Sequence, residues 1–463
     1  MYTPDTIVAI SSAPGMGAIA LIRLSGSKSV EIVQSVFSKN ITDKISHSAI
    51  FGEIKKENGD TLDEVVLTLF LGSKSFTGES TVEIACHGSV YIQQELVELL
   101  ILKGARLAKA GEFSQRAFLN QKLDLSQAEA ISDLIYSESA AAHRMALHQM
   151  KGGFSNELRD LRMQLLHFVA LIELELDFGE EDVEFADRKE LRDLVIAILS
   201  KINKLISSFK LGNVVRTGIP VAIVGKPNAG KSTLLNALLN EEKAIVSAIA
   251  GTTRDVIEDT LQINGLLFRF MDTAGLRETN DEIEKIGVER AIAKMEQAQI
   301  ILYLCSGATL PSDAEEGPIE AKEVAIRYKK RYPDAKVLLL ANKIDLNETG
   351  IDWSPDHGID LRCISAKNEA HIDALKQALY DLVNEENCLQ NEGTILTNIR
   401  HVEALRHAKL ALDTVLGGLG NGLAADLIAL DIRNAMAHIG SITGLIDTEE
   451  ILGTIFGKFC IGK

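Results

Sequence analysis

The residues best suited to chemistry lie in a glycine-containing loop near the middle of the chain. The run GKPNAGKS at 225–232 has the spacing G-x-x-x-x-G-K-S, follows the apolar stretch Val221–Val224 and precedes a helical pattern. In this order, backbone N–H groups surround a phosphate, the lysine faces its oxygens, and the serine hydroxyl ligates Mg²⁺. The loop predicts a nucleoside triphosphate site, although the bare pattern also fits a structural glycine turn. The predicted phosphate contacts are Asn228, Ala229, Gly230, Lys231, Ser232 and Thr233.

Three further motifs each follow an apolar strand pattern: DTAG at 272–275, NKID at 342–345 and SAK at 365–367. The run DTAG begins at Asp272, a carboxylate suited to hold the Mg²⁺ shell through water, while its glycine N–H is suited to sense a γ-phosphate. The run NKID ends at Asp345, whose carboxylate can accept hydrogen bonds from the N1–H and exocyclic amine of guanine, which adenine lacks. Their order resembles the Ras-like GTPase superfamily. The predicted contacts are Asp272, Thr273, Ala274, Gly275, Asn342, Lys343, Asp345, Ser365, Ala366 and Lys367.

The residue after the DTAG run is Leu276, where Ras-type enzymes carry a glutamine that orients the attacking water. An apolar side chain cannot orient water, so another group must do so. Asn228 and the run AGTTRD at 250–255 resemble the GTPases that potassium stimulates, although Asn228 alone also fits a turn-capping asparagine. This resemblance implies K⁺ ligands at Asn228, Ser247, Ile249 and Thr252, an Mg²⁺ ligand at Thr253, and nucleotide contacts at Ser247, Ala248, Ile249, Ala250, Gly251, Thr252 and Thr253.

The pattern of elements divides the chain into four segments. Residues 1–120 alternate β-rich runs with helices and predict an α+β domain, and residues 121–216 have helical periodicity. Residues 217–384 repeat strand, loop and helix, which predicts a doubly wound α/β domain. Residues 385–463 are helical again and too few for a large core of their own, so we expect them to pack with 121–216. The α/β domain is then an insertion into a helical domain.

Two details of the helical segments are specific enough to test. The apolar residues from Met145 to Ile172 form one long stripe at spacings of three to five, which predicts bundle-core packing. A second helical pattern starts at Lys189, and we expect it to end at Lys210, because Leu211-Gly212-Asn213 breaks it.

Composition limits the remaining possibilities. The chain of 463 residues has 48 Lys and Arg against 65 Asp and Glu, a net charge of −17, so contact with nucleic acid must be local or shared with a partner. Its 5 cysteines show no C-x-x-C spacing, which indicates free thiols in a reducing compartment and no zinc site. The sequence has neither a signal-peptide pattern nor a membrane-length apolar run. We therefore expect a cytoplasmic protein without a membrane partner.

The two ends of the chain resemble one family, the MnmE (TrmE) family of GTPases that modify the wobble uridine of tRNA. The last residues are FCIGK, similar to that family's C-x-G-K terminus. The first domain carries DTIVA from Asp5, AIALIRLSG from Ala18, FTGE from Phe76, CHG from Cys86 and GEFSQRAFLNQKLDLSQAEA from Gly111. Departures are small: Met16 stands where a basic residue is common, and Ser89 where a second glycine follows Cys-His-Gly.

The resemblance implies a folate-binding N-terminal domain that forms a homodimer. The one-carbon donor is then 5,10-methylene- or 5-formyl-tetrahydrofolate, and the matching positions are Arg23, Glu83, Lys122 and Lys463. Each of these also fits a surface charge or a structural ion pair. The resemblance further implies an FAD protein similar to MnmG as partner in a heterotetramer, and tRNA as the substrate that receives a (carboxymethyl)aminomethyl group at C5 of uridine.

Three residues have open roles. Glu284 matches the family's catalytic glutamate, which would orient the attacking water in place of the glutamine absent at Leu276. If the register of this segment slips, the assignment moves to Glu282. Cys460 is either a nucleophile toward uracil or a small structural residue. His87 has a side chain able to act as a base, and the alternative interpretation, which needs no chemistry, is a packed turn residue.

A second hypothesis belongs to another class. A regulatory or ribosome-assembly GTPase switch would share the phosphate loop and perform no base chemistry. The chain contains one GTPase motif set, no recognisable G-x-x-G RNA clamp and an acidic balance, which count weakly against it. Folate binding separates the two hypotheses, because an assembly switch has no use for it.

Overall fold

The computed structural model describes residues 5–177, 187–239, 259–272, 295–308, 317–347, 359–384, 394–445, 449–457, 459 and 462. The chain forms two compact units. The first consists of Met1–Ile135, Ala146–Ile206 and Arg400–Lys463, and the second of Tyr136–Met145 and Ser207–Ile399.

The first unit begins with a mixed β-sheet. Its strands are β1 (Ile7–Ile10), β2 (Ile19–Ser25), β3 (Ser48–Lys55), β4 (Thr61–Phe70), β5 (Thr81–His87) and β6 (Arg106–Leu107). Among the described residues they follow the order β3-β4-β5-β2-β1-β6, and all neighbours are antiparallel except β1 and β6. The antiparallel pairs match the short, alternating runs of the sequence.

One face of this sheet is covered. The other is accessible at β4 but covered at β1, where Ile7 and Ala9 pack with Phe113. The core side of β4 carries Val65, Leu67 and Leu69, all at most 1% exposed, whereas Val66 between them is 40% exposed. The covering helices are α1 (Ser29–Gln34) and α2 (Val90–Leu102), which share the core cluster with these side chains. Strict alternation therefore separates the core from the accessible face.

The remaining elements of the first unit are helical. They include α3 (Glu112–Leu119), α4 (Leu125–Ile135), α6 (Gly153–Asp177), α11 (Ile399–Gly420), α12 (Ala425–Thr443) and α13 (Glu449–Phe456), while α5 (Ala140–Met150) and α7 (Arg188–Thr217) contribute to both units. A buried ionic network ties α4 to α11: both carboxylate oxygens of Glu129 accept from Arg400, at 3.0 and 2.8 Å, and Oε2 also pairs with His401 at 2.7 Å. This network fixes the start of α11.

The second unit contains the α/β domain. Its strands are β7 (Ile219–Gly225), β8 (Asp259–Ile263), β9 (Leu266–Asp272), β10 (Ile300–Ser306), β11 (Lys336–Asn342) and β12 (Asp360–Cys363). Its further helices are α8 (Lys231–Leu239), α9 (Pro318–Arg331) and α10 (Ile372–Asn384). In the described part of the chain the strand order is β12-β11-β10-β7-β9-β8, parallel apart from the β8–β9 hairpin.

The hairpin between β8 and β9 agrees with its sequence. Asn264 and Gly265 both have positive φ, at +49° and +82°, as a two-residue turn between twisted strands requires. Together the two units confirm the predicted fold class, an α+β N-terminal domain, a helical domain and an inserted Ras-like α/β domain.

One prediction about the helices is wrong. The break expected at Leu211-Gly212-Asn213 does not occur, since α7 continues to Thr217. A β-carbon at Gly212 would collide with the carbonyl oxygen of Leu396, so this glycine serves a close backbone approach inside a helix. The apolar stripe from Met145 to Ile172 belongs to two helices, because Gly152 has φ of +85° between α5 and α6. Apolar spacing alone does not report a one-residue reversal.

No helix among the described residues is long and apolar enough to span a membrane.

Candidate functional site

The phosphate loop joins β7 to α8 and has a left-handed backbone at two positions. φ is +64° at Asn228 and +96° at Gly230. A β-carbon at Gly230 would collide with the side-chain nitrogen of Asn342, so the glycine is required there. Lys231 begins α8, and its Nζ donates to the carbonyl oxygens of Gly225 at 2.7 Å and Lys226 at 2.9 Å. A cation held against the loop at a helix N-terminus fits a phosphate anion.

The predicted base-binding residues meet at one buried amide. Asn342 is 3% exposed, donates through Nδ2 to the carbonyl of Ala229 at 2.9 Å and accepts through Oδ1 from the N–H of Ala366 at 2.9 Å. It therefore ties the phosphate loop to the loop after β12. Ser365 donates to Oδ1 of Asp345 at 2.5 Å, which orients that carboxylate. The arrangement fits a guanine nucleotide, whose N–H groups need such an acceptor.

The predicted metal ligands are only partly described. Ser232 is exposed in the first turn of α8, and Asp272 ends β9, which pairs with β7 at Ile223. The described residues contain no cluster of three or more His, Cys, Asp or Glu side chains able to hold a metal ion. The following predicted positions lie outside the described residues: Ser247, Ala248, Ile249, Ala250, Gly251, Thr252, Thr253, Thr273, Ala274, Gly275, Glu282, Glu284, Cys460 and Lys463, together with the side chain of Asp272.

Two of the predicted folate residues form an ion pair on the open side of the N-terminal sheet. Arg23 on β2 and Glu83 on β5 are direct cross-strand partners. Nε and a terminal nitrogen of Arg23 lie 2.9 and 2.8 Å from Oε1 of Glu83, and the side chains are 19% and 20% exposed. The guanidinium also lies 5.9 Å from the ring centre of Phe76 and 5.7 Å from that of Phe113. These aromatic contacts hold the pair rigidly beside a partly open surface.

Of the other two predicted folate residues, the structure describes Lys122 but not Lys463. Lys122 donates to the carbonyl of Ser73 at 2.8 Å, in the loop that leads to Phe76. Gly462, which precedes the predicted Lys463, accepts from the hydroxyl of Ser11 at 3.0 Å. Gly462 is therefore held beside the end of β1. Arg23 and Glu83 are brought together by the structure, whereas Lys122 has its own partner.

A buried arginine gives the acids of three runs in the first domain a structural role. Arg116 on α3 is 1% exposed and donates to Asp5, Glu79 and Glu112 at 2.7, 3.0 and 3.1 Å. Hydrogen bonds from Arg106 lower the pKa of Asp5 to about 2 against the opposing effect of burial, with Arg116 adding to the lowering. The acids of the DTIVA, FTGE and GEF runs thus neutralise a buried cation and position the loop that carries Phe76.

Sequence reasoning missed the acid that holds His87. Asp63 accepts from the backbone N–H of His87 through Oδ2 at 2.8 Å, and its Oδ1 lies 2.7 Å from Nδ1 of the imidazole. The available signal was an acidic residue on the core side of an alternating strand, in register with Val65, Leu67 and Leu69.

Comparisons with known proteins agree over the whole chain. The family model described as "MnmE helical domain" matches residues 125–460, and the one described as "GTP-binding protein TrmE N-terminus" matches residues 6–122. The tRNA modification GTPase MnmE of Cytophaga hutchinsonii is 53% identical over 99% of this chain and 98% of its own, and that of Flavobacterium johnsoniae 50% identical over 100% of both. Among solved structures, the G-domain of FeoB from Methanococcus jannaschii is 24% identical, covers 35% of this chain and 96% of its own, and has a TM-score of 0.25. By the two family models and the full-length relatives, the chain belongs to the MnmE family of tRNA modification GTPases.

Proposed function

We propose that this GTPase is activated by potassium and acts with a flavoprotein similar to MnmG. The pair adds a (carboxymethyl)aminomethyl group to C5 of the tRNA wobble uridine, with tetrahydrofolate as the one-carbon donor. In this proposal residues 1–120 bind the folate and dimerise, 121–216 and 385–463 form the helical domain, and 217–384 hydrolyse GTP. Membership of a tRNA modification family favours this function over an assembly switch.

The observation that carries the folate proposal is the Arg23–Glu83 pair. Both arginine contacts go to Oε1, so Oε2 of Glu83 has no hydrogen-bond partner among the described residues. That oxygen suits the amine and amide N–H groups of a pterin. Phe76 is 38% exposed beside the pair and offers an aromatic surface for a flat ring. Bound tetrahydrofolate would supply the carbon, and Lys122 and Lys463 would attract its glutamyl carboxylates.

The GTPase proposal uses the phosphate loop and the residues around it. Mg²⁺ would be held by Ser232, by Thr253 and, through water, by Asp272, and would neutralise the phosphates. K⁺ would supply positive charge beside them, held by Asn228, Ser247, Ile249 and Thr252. Glu284 would orient the attacking water.

The dimer proposal is supported by an apolar pair on the open face of the N-terminal sheet. Phe51 and Val66 are direct cross-strand partners and are 56% and 40% exposed. A second copy of this chain is the proposed occupant, since burying such side chains stabilises association.

The folate proposal is tested by calorimetric binding of 5-formyl-tetrahydrofolate to the wild type and to Glu83→Gln. Loss of a hydrogen bond to a charged group costs about 1.5–3 kcal/mol, so affinity is expected to fall roughly 10- to 150-fold. Glu53→Gln is the matched control, because Glu53 lies in the same sheet in an exposed pair with Lys55. Equal affinity in all three proteins would remove the folate assignment.

The potassium proposal is tested by GTP hydrolysis in KCl and in NaCl of equal ionic strength, with Glu284→Ala beside the wild type. We expect strong stimulation by potassium that the variant loses. Equal wild-type rates in the two salts would contradict the potassium ligands and reopen the assembly-switch hypothesis.

A further inference from the structure

The pairing of Asp63 with His87 sets a buried acid against an exposed base. The side chain of Asp63 is 7% exposed and that of His87 is 68% exposed. Asp63 lies near the start of β4, beyond the last β4–β5 pair at Val66 and Ala85, so its carboxylate reaches the end of β5. Both of its oxygens bind His87, one through the backbone and one through the ring.

This contact selects one form of the neutral imidazole. An ionised carboxylate only accepts hydrogen bonds, so Nδ1 must carry the proton. The neutral ring then has its lone pair on Nε2, and the described residues place no hydrogen-bond partner there. A carboxylate that fixes the tautomer and orientation of an imidazole in this way is the arrangement by which a histidine becomes a base.

His87 shares a strip of the sheet with the Arg23–Glu83 pair. Burial alternates along β5, and Glu83, Ala85 and His87 form its more accessible series. Their cross-strand partners on β2 are Arg23, Leu21 and Ile19 in the same order. We call these six residues the β2–β5 strip. The β5 backbone of the strip spans about 13 Å, four residues at roughly 3.3 Å each, with Glu83 at one end, His87 at the other and apolar residues between. The imidazole lies at the end of the strip, where its Nδ1 meets the carboxylate that Asp63 extends from the core side of β4.

A flat heterocycle fits such a strip. Leu21 and Ala85 form an apolar floor, and Ile19, 71% exposed opposite His87, extends it. The hydroxyl of Ser11 holds the terminal segment at Gly462, and the N–H of Ser11 donates to the carbonyl of Leu21 at 2.7 Å, which brings the chain end to the edge of the strip. Polar groups at the ends of an apolar surface are typical of sites for small aromatic ligands.

We propose that His87, held by Asp63, is the base that accepts the proton displaced from C5 of the uracil. This role rests on the proposed modification chemistry. When a one-carbon unit of the iminium class joins C5, the C5–C6 π pair forms the new C–C bond and the C=N π pair of the iminium moves to its nitrogen. The C5–H bond then breaks, its electron pair restores the double bond, and its proton moves to Nε2. The resulting imidazolium is stabilised by the carboxylate of Asp63 and releases its proton to water, so the ring ends unoxidised with one substituent in place of one hydrogen.

Two variants separate the role of Asp63, which orients the ring, from the role of His87, which accepts the proton. In His87→Asn the amide nitrogen stands near the position of Nδ1 and keeps a donor for Asp63, but nothing replaces Nε2. In Asp63→Asn the amide oxygen still accepts from the backbone N–H while the amide nitrogen donates to Nδ1, so the proton of the ring moves to Nε2. We expect each to slow tRNA modification about 100-fold or more, the usual contribution of a positioned base.

The test measures modified uridine in tRNA by mass spectrometry in the complete reaction with the flavoprotein, and the tautomer by ¹⁵N NMR of histidine-labelled protein. The wild type is expected to show His87 protonated at Nδ1 and Asp63→Asn to show it at Nε2. Free imidazole is expected to restore His87→Ala, because the site is open to solvent. His47→Asn is the matched control: His47 is an exposed histidine of the same unit, and its φ of +65° suits asparagine.

The possible outcomes distinguish failure of the His87 proposal from failure of the proposed function. Modification by His87→Asn within threefold of the wild type, with an unchanged melting temperature, would overturn the proposal, and so would a wild-type His87 protonated at Nε2. Failure of imidazole to restore His87→Ala would assign His87 a structural role. Wild-type protein that leaves uridine unmodified in the complete reaction would instead overturn the proposed function, because the control and all variants would then be equally inactive.

Discussion

The ionic network at Glu129 gives the sharpest test of how the helical part of the protein is held. Burial alone would raise the pKa of this carboxyl, but the charges and hydrogen bonds of His401 and Arg400 lower it from 4.5 to about 2. At about 1.36 kcal/mol per pH unit this corresponds to roughly 3 kcal/mol in favour of the ionised, paired form. Breaking one partner of a buried ion pair typically costs about 3–5 kcal/mol, which agrees.

Glu129→Gln keeps the side-chain volume and removes the charge, so we expect the contact between α4 and α11 to lose about 3 kcal/mol. Unfolding of a chain with two units need not be two-state, so the suitable readout is hydrogen exchange of peptides from these helices. Their exchange is expected to accelerate roughly 150-fold, because each 1.4 kcal/mol is a factor of ten. Glu403→Gln is the control, since Glu403 is exposed on the same helix.

The sign of the pH dependence follows from the lowered pKa. Stability from Glu129 is fully present above about pH 4.5 and is lost as the pH falls toward 2, because the unfolded chain then binds a proton more readily. Exchange of the wild type and Glu129→Gln should therefore converge in acid and differ at neutral pH. An acceleration below tenfold at neutral pH, or no convergence in acid, would refute this account of the network.

Three further predictions concern single positions. Asp345→Asn is expected to weaken GTP relative to xanthosine triphosphate, whose C2 carbonyl accepts where guanine donates; competition binding of the two nucleotides measures this. Gly212→Ala is expected to cost about 1–3 kcal/mol, because the methyl group meets the carbonyl of Leu396, and the melting temperature reports it. Asp5, whose pKa Arg106 lowers to about 2, contributes stability above its ordinary pKa near 4 that is lost in more acid solution, and Asp5→Asn should flatten that part of a stability–pH curve.

Sequence patterns predicted the loops better than the contacts behind them. The phosphate loop and the Asn342 motif were identifiable because glycine, lysine and amide side chains recur there at fixed short spacings. Strand positions followed from alternation. The continuation of the helix through Gly212 was not predictable. The local sequence does not distinguish a glycine that ends a helix from one that lets a neighbouring backbone approach. Leu396, which decides between them, lies 184 positions further along.

The same limit applies to the acids that position functional groups. Asp63 and Glu129 stand in ordinary strand and helix patterns, and their partners are 24 and 272 residues away. In both cases the buried carboxylate fixes a side chain whose type alone did not reveal its role. Only the fold brings such a pair together, so the sequence named His87 as a base in principle and left its orientation open.

The arrangement of donors and acceptors on the β2–β5 strip bears on what it can bind. Arg23 donates only to Oε1 of Glu83, and Asp63 accepts only from Nδ1 of the His87 ring, so Oε2 of Glu83 and Nε2 of His87 are left as acceptors at the two ends of the strip. A ligand need not break either pair, which avoids the cost of leaving a partly buried charge unpaired. An acceptor at each end of an apolar floor favours flat rings that carry N–H groups. Pterins and uracil both have this chemistry, whereas a purely accepting ring would face two lone pairs and be disfavoured.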